Sequence, residues 1–376
     1  MKQTSRLQKA EVGLVATAGA IVFSRVFGLA VVLVGFRPFA AALLPEEYAG
    51  TQFGDILVGT ALSAYGVTLA LMQLPLGILS DRIGRKPVLA AGAFLFVAGS
   101  AGAALSTDIW TLILARLVQG LGAVASVAMA AVGETVPAER RTTAMAFVGI
   151  PAGIGFVAGL VVGAALEPTV GVANLFWLSA GLGILTSLPL IGLTFGRIAP
   201  DLDQAGAHRT LTRPVLALLA AGFATNYSLT TAVFFLPDAP LSTTQLVLVL
   251  LAAFAVLAVL TRQIDRRKRH QSAILASLAV LAVGCVVWTG AFNLKWAILG
   301  GLLFFSAHAL LSAVLPSEVS RLAGRAGGRG HGIQNVVAYA GTAVAGPIAG
   351  AFAGAPLTAG ILACVLALAA MASQPR

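Results

Sequence analysis

Gly77-Ile78-Leu79-Ser80-Asp81-Arg82-Ile83-Gly84-Arg85-Lys86-Pro87 sets an aspartate, two arginines and a lysine between apolar runs near residues 55–79 and 88–106. Each run approaches or exceeds the roughly 20 residues that cross a bilayer as a helix, so the stretch between them reads as a tight loop at a membrane surface. Its glycines permit a sharp turn and close helix approach. Its charges of both signs can lock or release a cytoplasmic gate.

The rest of the chain extends this reading. Of 376 residues 58% are hydrophobic and 10% charged, and the mean hydropathy is +0.94; soluble domains carry about 25% charged residues. The 42 glycines are scattered through apolar stretches without a collagen period. Apolar segments fall near 12–43, 55–79, 88–106, 109–133, 143–166 and 171–196, and again near 214–236, 244–261, 272–290, 294–316, 332–353 and 356–372. The expected fold is an all-α membrane protein of twelve transmembrane helices in two six-helix bundles, residues 1–196 and 214–376, joined by a cytoplasmic linker at 197–213. The basic N-terminus followed by an apolar run has the opening of a signal peptide, but the run continues to Leu44 and reads as a retained first helix.

Charge placement orients the chain. With the N-terminus inside, all of the 24 Lys and Arg except Arg25, Arg37, Arg116 and Lys295 fall in cytoplasmic positions, as positive-inside topology requires. The net charge of +10 is thereby a property of the inner face, and no nucleic-acid partner is expected. Asp265-Arg266-Arg267-Lys268-Arg269 repeats the first charged loop about half a chain later. Two similarly oriented six-helix units imply a working cavity at their interface near the membrane midplane. Cys285 and Cys364 lie in apolar runs, and the four histidines (His208, His270, His308, His331) are dispersed, so neither a metal site nor a cofactor is expected. No catalytic motif and no phosphate-binding glycine loop is present, which argues against an enzyme or an ATP-driven pump.

The Gly77–Pro87 loop resembles the signature loop of the major facilitator superfamily, and Ala115-Arg116-Leu117-Val118-Gln119-Gly120 looks like its second motif. Gly149, Gly153, Gly155, Gly159 and Gly163 resemble the glycine string of its antiporters, although Pro151 stands two places after Gly149 where the family places a proline directly after a glycine. These glycines serve either helix packing or an antiport-specific role. Ser24-Arg25-Val26-Phe27-Gly28-Leu29, Tyr65-Gly66-Val67-Thr68, Gln73-Leu74-Pro75, Leu315-Pro316-Ser317 and Gly330-His331-Gly332 extend the resemblance to the drug:proton antiporter branch. The resemblance implies gating by Gly77, Asp81, Arg82, Gly84, Arg85, Lys86 and Glu134, with Asp81 facing a neighbouring helix end of the opposite half, where exposed amides favour a carboxylate, and Arg85 paired to Glu134.

An intramembrane arginine costs at least about 2.5–3.5 kcal/mol and is a functional hypothesis by default. Arg25 and Arg116 head a candidate substrate cavity with Tyr65, Gln73, Gln119, Asn226, Tyr227, His308, Gln334 and Asn335; the alternative is that both arginines are structural. Helix one and helix ten lack the embedded carboxylate of many proton-coupled exporters, so Asp55, Glu134 and His308 are the proton-coupling candidates. Asp55 is either paired with Arg37 or solvated. His308 is either a proton carrier, its ordinary pKa lying near 6.5, or a packed side chain.

The function expected is proton-coupled efflux of a small amphipathic compound by alternating access, in the inner membrane, with both termini cytoplasmic. The expected partners are the small-molecule substrate, protons and the lipid bilayer, and the chain acts as a monomer. The alternatives are a facilitator or symporter of a small organic anion and a non-transporting receptor or scaffold of the same fold.

Overall fold

The computed structural model describes residues 9–122, 124–136, 138–193, 212–267, 270–289, 293–323 and 327–352. The expected linker at 197–213, apart from its last two residues, and the expected segment at 356–372 lie outside the described residues. The regular elements described are helices: α1 (Lys9–Ala30), α2 (Phe36–Ala41), α3 (Gln52–Ile83), α4 (Arg85–Ala104), α5 (Ile109–Leu121), α6 (Ala125–Thr135), α7 (Ala138–Ser187), α8 (Arg213–Phe234), α9 (Thr243–Arg267), α10 (His270–Thr289), α11 (Leu294–Ala323) and α12 (Gly327–Ala351), with short 3-10 turns between some of them. Among the described residues, eight spans are long and apolar enough to cross a membrane.

Helix boundaries follow local chemistry. Gly84, at φ +97°, turns the chain between α3 and α4. Asp108 caps α5 by accepting from the Trp110 and Thr111 amides at 2.9 Å each, and the Thr111 bond foremost holds its carboxyl below the usual carboxylate range. Gly171, at φ +76°, interrupts α7, separating the two apolar segments that the sequence places at 143–166 and 171–196. Two expected segments are broken. The run 12–43 divides into α1 and α2 around Gly35 and Pro38, residues that weaken and interrupt a helix. The run 109–133 divides into α5 and α6 at Gly122, where a side chain would strike the α4 backbone, 2.5 Å from both the Gly92 oxygen and the Phe96 nitrogen.

The chain falls into two compact units, one of Met1–Phe39 with Leu71–Asp201, the other of Ala40–Ala70 with Leu202–Arg376. In the first, α1 packs along α7. Gly155, Gly159 and Gly163 of α7 lie against the carbonyls of Phe23, Phe27 and Val31, so close that a Cβ at these positions would stand 2.1–2.7 Å from those oxygens. Lipid tails supply no hydrophobic drive between helices, and small residues gain dispersion contact by letting backbones approach. A core of Leu14, Ile21, Val22, Leu89, Val127 and Val148 fills the space among α1, α4, α6 and α7.

In the second unit, the N-terminal part of α3 lies on α12. A Cβ on Gly59 would stand 1.9 Å from the Gly346 oxygen, and one on Gly350 would stand 2.0 Å from the Asp55 oxygen. Ser63 Oγ donates to the Thr342 carbonyl at 2.7 Å and accepts from the Gly346 amide at 2.9 Å. Those two groups are one i→i−4 pair of α12, so the serine hydroxyl is inserted into the helix's own ladder, one residue before Pro347. Without the hydroxyl, the Gly346 amide and the Thr342 carbonyl can bond to each other, so neither is left stranded.

This geometry separates two substitutions. Gly59→Val introduces a clash with backbone and should lower the thermal unfolding midpoint in detergent by several degrees. Ser63→Ala should cost about 1 kcal/mol or less, because α12 closes its own bond; a loss in Ser63→Ala equal to that in Gly59→Val would contradict the inserted-hydroxyl account.

Candidate functional site

Arg116, on α5, is wholly buried, as is Gln119 one turn later. The spacing puts both on one helix face, and Arg116 Nη1 donates to Gln119 Oε1. Gln119 Nε2 in turn donates to Ser100 Oγ on α4 at 2.8 Å, and Ser100 Oγ donates to the Phe96 carbonyl at 2.8 Å. The Arg116 guanidinium lies 5.3 Å from the Phe36 ring centre and 5.8 Å from that of Phe176. A hydrogen bond to a charged group contributes about 1.5–3 kcal/mol and a cation–π contact about 0.5–2. Together they match the roughly 2.5–3.5 kcal/mol that insertion of the arginine demands.

Arg25, on α1, is 2% exposed, and its guanidinium sits 4.1 Å over the Phe96 ring. Beside it, Thr186 Oγ1 of α7 donates to Ser24 Oγ at 2.9 Å, and Ser24 Oγ donates to the Ile21 carbonyl at 2.9 Å. The first unit thus brings Arg25, Arg116 and Gln119 into one buried network on α4. Gln73, from the end of α3 that belongs to this unit, is buried with its side-chain oxygen outside any hydrogen bond. The crevice of about 370 Å³ between α4 and α5, floored by Gly99, Gly102 and Ala115, is lined by none of the candidate residues.

The charged loop folds back on itself. Arg85 pairs with Asp81, one turn earlier, and with Glu134 at the end of α6; its Nε donates to Glu134 Oε2 at 3.0 Å, and its Nη1 donates to Ser80 Oγ. The guanidinium engages Glu134 through two nitrogens, the fork geometry for which arginine is suited. Lys86 donates to the carbonyls of Ile191 at 3.0 Å and Leu193 at 2.9 Å, beyond the end of α7, where a cation is favoured. Arg82 is exposed. Gly77 has no neighbour where a side chain would stand, so the close approach expected of this glycine is absent among the described residues; Gly84 supplies the turn.

In the second unit, Tyr65, Tyr227, His308 and Gln334 are buried, while Asn226 and Asn335 are half-buried. His308 of α11 stacks on Phe304 at 6.4 Å and approaches Ser312 Oγ at 3.4 Å. Asn226 of α8 donates to the Gly222 carbonyl at 3.2 Å, and Gln334 of α12 packs opposite Gly222. Asp55 is exposed. Sequence reasoning quoted Ser24 only in a family string and gave it no place in the site, and it passed over Phe96, Ser100 and Thr186, and also Glu11 and Glu318, which are both more than nine-tenths buried. A polar or acidic residue near the middle or end of an apolar run was the available signal for all of these except Phe96. Among the described residues, no group of three His, Cys, Asp or Glu could hold a metal ion.

Gln119 is the joint of the first network. Gln119→Leu strands the Arg116 Nη1 donor and removes the Ser100 partner, and it should destabilise the protein by about 1–3 kcal/mol in thermal unfolding. Gln119→Glu keeps an acceptor for Arg116 and should recover most of that loss; equal midpoints for the two variants would exclude the bond as a stabilising contact.

Residues 26–346 match the family model described as Major Facilitator Superfamily. The chain is 30% identical over 346 residues to the inner membrane transport protein YajR of Escherichia coli K12, covering 87% of this chain and 74% of that one. It is also 30% identical over 228 residues to the multidrug resistance protein B homolog of Mycobacterium tuberculosis, covering 59% and 40%. Its fold matches the inward-open structure of the xylose transporter XylE from E. coli with a TM-score of 0.73 at 16% identity, over 96% of this chain and 95% of that one. The helices, their membrane-spanning lengths and these likenesses together establish that the chain belongs to the major facilitator superfamily and is a multi-pass membrane transporter.

Proposed function

We propose that the protein exports a small amphipathic compound in exchange for protons, by alternating access of a twelve-helix body formed from residues 1–196 and 214–376. The observation that carries this reading is the buried Arg25–Phe96 and Arg116–Gln119–Ser100 network, two cations held inside membrane-crossing helices where topology alone has no use for them. Export is favoured by the printed names of relatives that are multidrug and tetracycline resistance proteins. We place the protein in the inner membrane, as YajR is named, with both termini cytoplasmic by the distribution of lysine and arginine, and acting as a monomer.

In this scheme Asp81, Arg85 and Glu134 form the cytoplasmic latch. Their pairing is strong enough to hold one state and, being partly exposed, weak enough to be exchanged for other partners. Gly84 and Lys86 fix the turn on which the latch rests, and Arg82 faces the aqueous side. Proton coupling falls to Asp55, Glu134 and His308. A symporter or facilitator of a small organic anion is the second reading, favoured by the sign of the charge embedded in mid-helix: Arg25 and Arg116 lie there, whereas the buried carboxylate of the same unit, Glu11, stands in the first turn of α1, and Asp81 and Glu134 are exposed. Under either reading the cargo is anionic or neutral, since a desolvated cation would be repelled by two guanidinium groups in a low dielectric.

Proteoliposomes loaded with carboxyfluorescein or with ethidium, under an imposed pH gradient, separate these outcomes. Carboxyfluorescein should leave against an inward proton flux and stop with a protonophore, and Arg116→Ala and Asp81→Asn should each reduce the rate at least about tenfold, one order of magnitude for 1.4 kcal/mol of barrier. Movement unaffected by the gradient would replace exchange with facilitation, and movement of ethidium alone would overturn the assignment of cargo charge.

A further inference from the structure

Phe96 has no polar side-chain atom, yet both buried arginines converge on it. Its ring lies under the Arg25 guanidinium at 4.1 Å. Its carbonyl accepts from Ser100, which receives Gln119, which receives Arg116. The ring is fully buried in a slot where side chains have been removed on three sides. A Cβ on Gly28 of α1 would stand 2.7 Å from the tip of the ring; one on Gly122, after α5, would stand 2.7 Å from the Phe96 Cβ; one on Gly183 of α7 would stand 3.0 Å from the ring edge and 3.2 Å from Arg25 Nη1. The slot therefore fixes the ring and leaves room for the guanidinium beside it.

We propose that Phe96 is a positioning residue for transport: its ring sets the orientation of the Arg25 guanidinium, and its backbone joins that group to the Arg116 network on α4. A ring holds a guanidinium by its face, through the ring quadrupole. The N–H donors lie in the guanidinium plane, so stacking holds the arginine by its face, and under the cavity reading the edge is the side that would turn toward a cargo anion. A carboxylate in the same place would engage that edge directly and neutralise the charge. The proposal rests on the reading of Arg25 as a cavity residue, and its test is chosen to stand apart from that reading.

The test replaces Phe96 in the full chain with mono-, di- and trifluorophenylalanine, which keep the shape of the ring while draining its negative face. In lipid nanodiscs the Arg25 Nε–H resonance, identified by its loss in Arg25→Lys, should move stepwise along the series, with the thermal midpoint falling by no more than the weakened contact accounts for. In proteoliposomes the KM for carboxyfluorescein should rise stepwise to about 10–30-fold, the factor that a desolvated cation–π contact represents, with kcat changing less; Phe96→Leu should match the last member of the series. An Arg25 resonance that stays fixed across the series overturns the proposal, as does a shifted resonance with unchanged KM. If the wild-type protein does not move the dye, the transport reading fails, while the resonance still decides whether Phe96 orients Arg25.

Discussion

A guanidinium cannot be left inside a bilayer without a local substitute for water, and the first unit of this protein is arranged around that demand. Arg116 obtains its substitute from Gln119 and from the faces of Phe36 and Phe176; Arg25 obtains part of its own from Phe96. Gln119 comes from the same helix as Arg116, whereas the three phenylalanines reach the arginines from α2, α4 and α7. Around Phe96 the helices approach more closely than ordinary side chains allow, and Gly28, Gly122 and Gly183 are the residues that leave that room.

The same economy of side chains governs the second unit in another form. There α3 and α12 touch through glycine; Gln52 donates to the Ala351 carbonyl at 2.6 Å at one end, and deeper in the contact a hydroxyl is slipped into a helical hydrogen bond. Such a contact is specific when made, and when it is broken α12 can close its own bond. The Asp81–Arg85–Glu134 pairing is of a different kind, electrostatic and partly exposed, so its strength depends on ionic strength and on the charges brought near it. The proposed transport cycle thus combines a dry seam insensitive to salt with a wet latch that salt weakens.

Much of this was legible in the sequence because charge inside an apolar run is conspicuous. Arg116 and Gln119 stand out at one-turn spacing, and the loop from Gly77 to Pro87 carries enough chemistry to indicate its turn, while the pairing of Arg85 with Glu134 came from the family resemblance. The breaks between α1 and α2 and between α5 and α6 were hidden, because Gly35 and Gly122 look like any of the 42 glycines until the neighbouring backbone is known. Phe96 was invisible for the same reason: one phenylalanine among 19 acquires meaning only from the cation above it. Ser63 gave no warning either, since a serine facing its own helix and one inserted into another are identical in sequence. Glu11 and Glu318 were passed over because acidic residues near segment ends read as topology, whereas their burial depends on packing that periodicity does not reveal.

The central claim is that Arg25 and Arg116 face a protein interior within the membrane and not the lipid. Solid-state magnetic resonance on the arginine-labelled chain in bilayers measures this directly, by following magnetisation transferred to the guanidinium groups from water and from lipid acyl chains. The account predicts that both groups receive magnetisation from aromatic side chains and water well before any arrives from the acyl chains; early transfer from acyl chains to either arginine would contradict it.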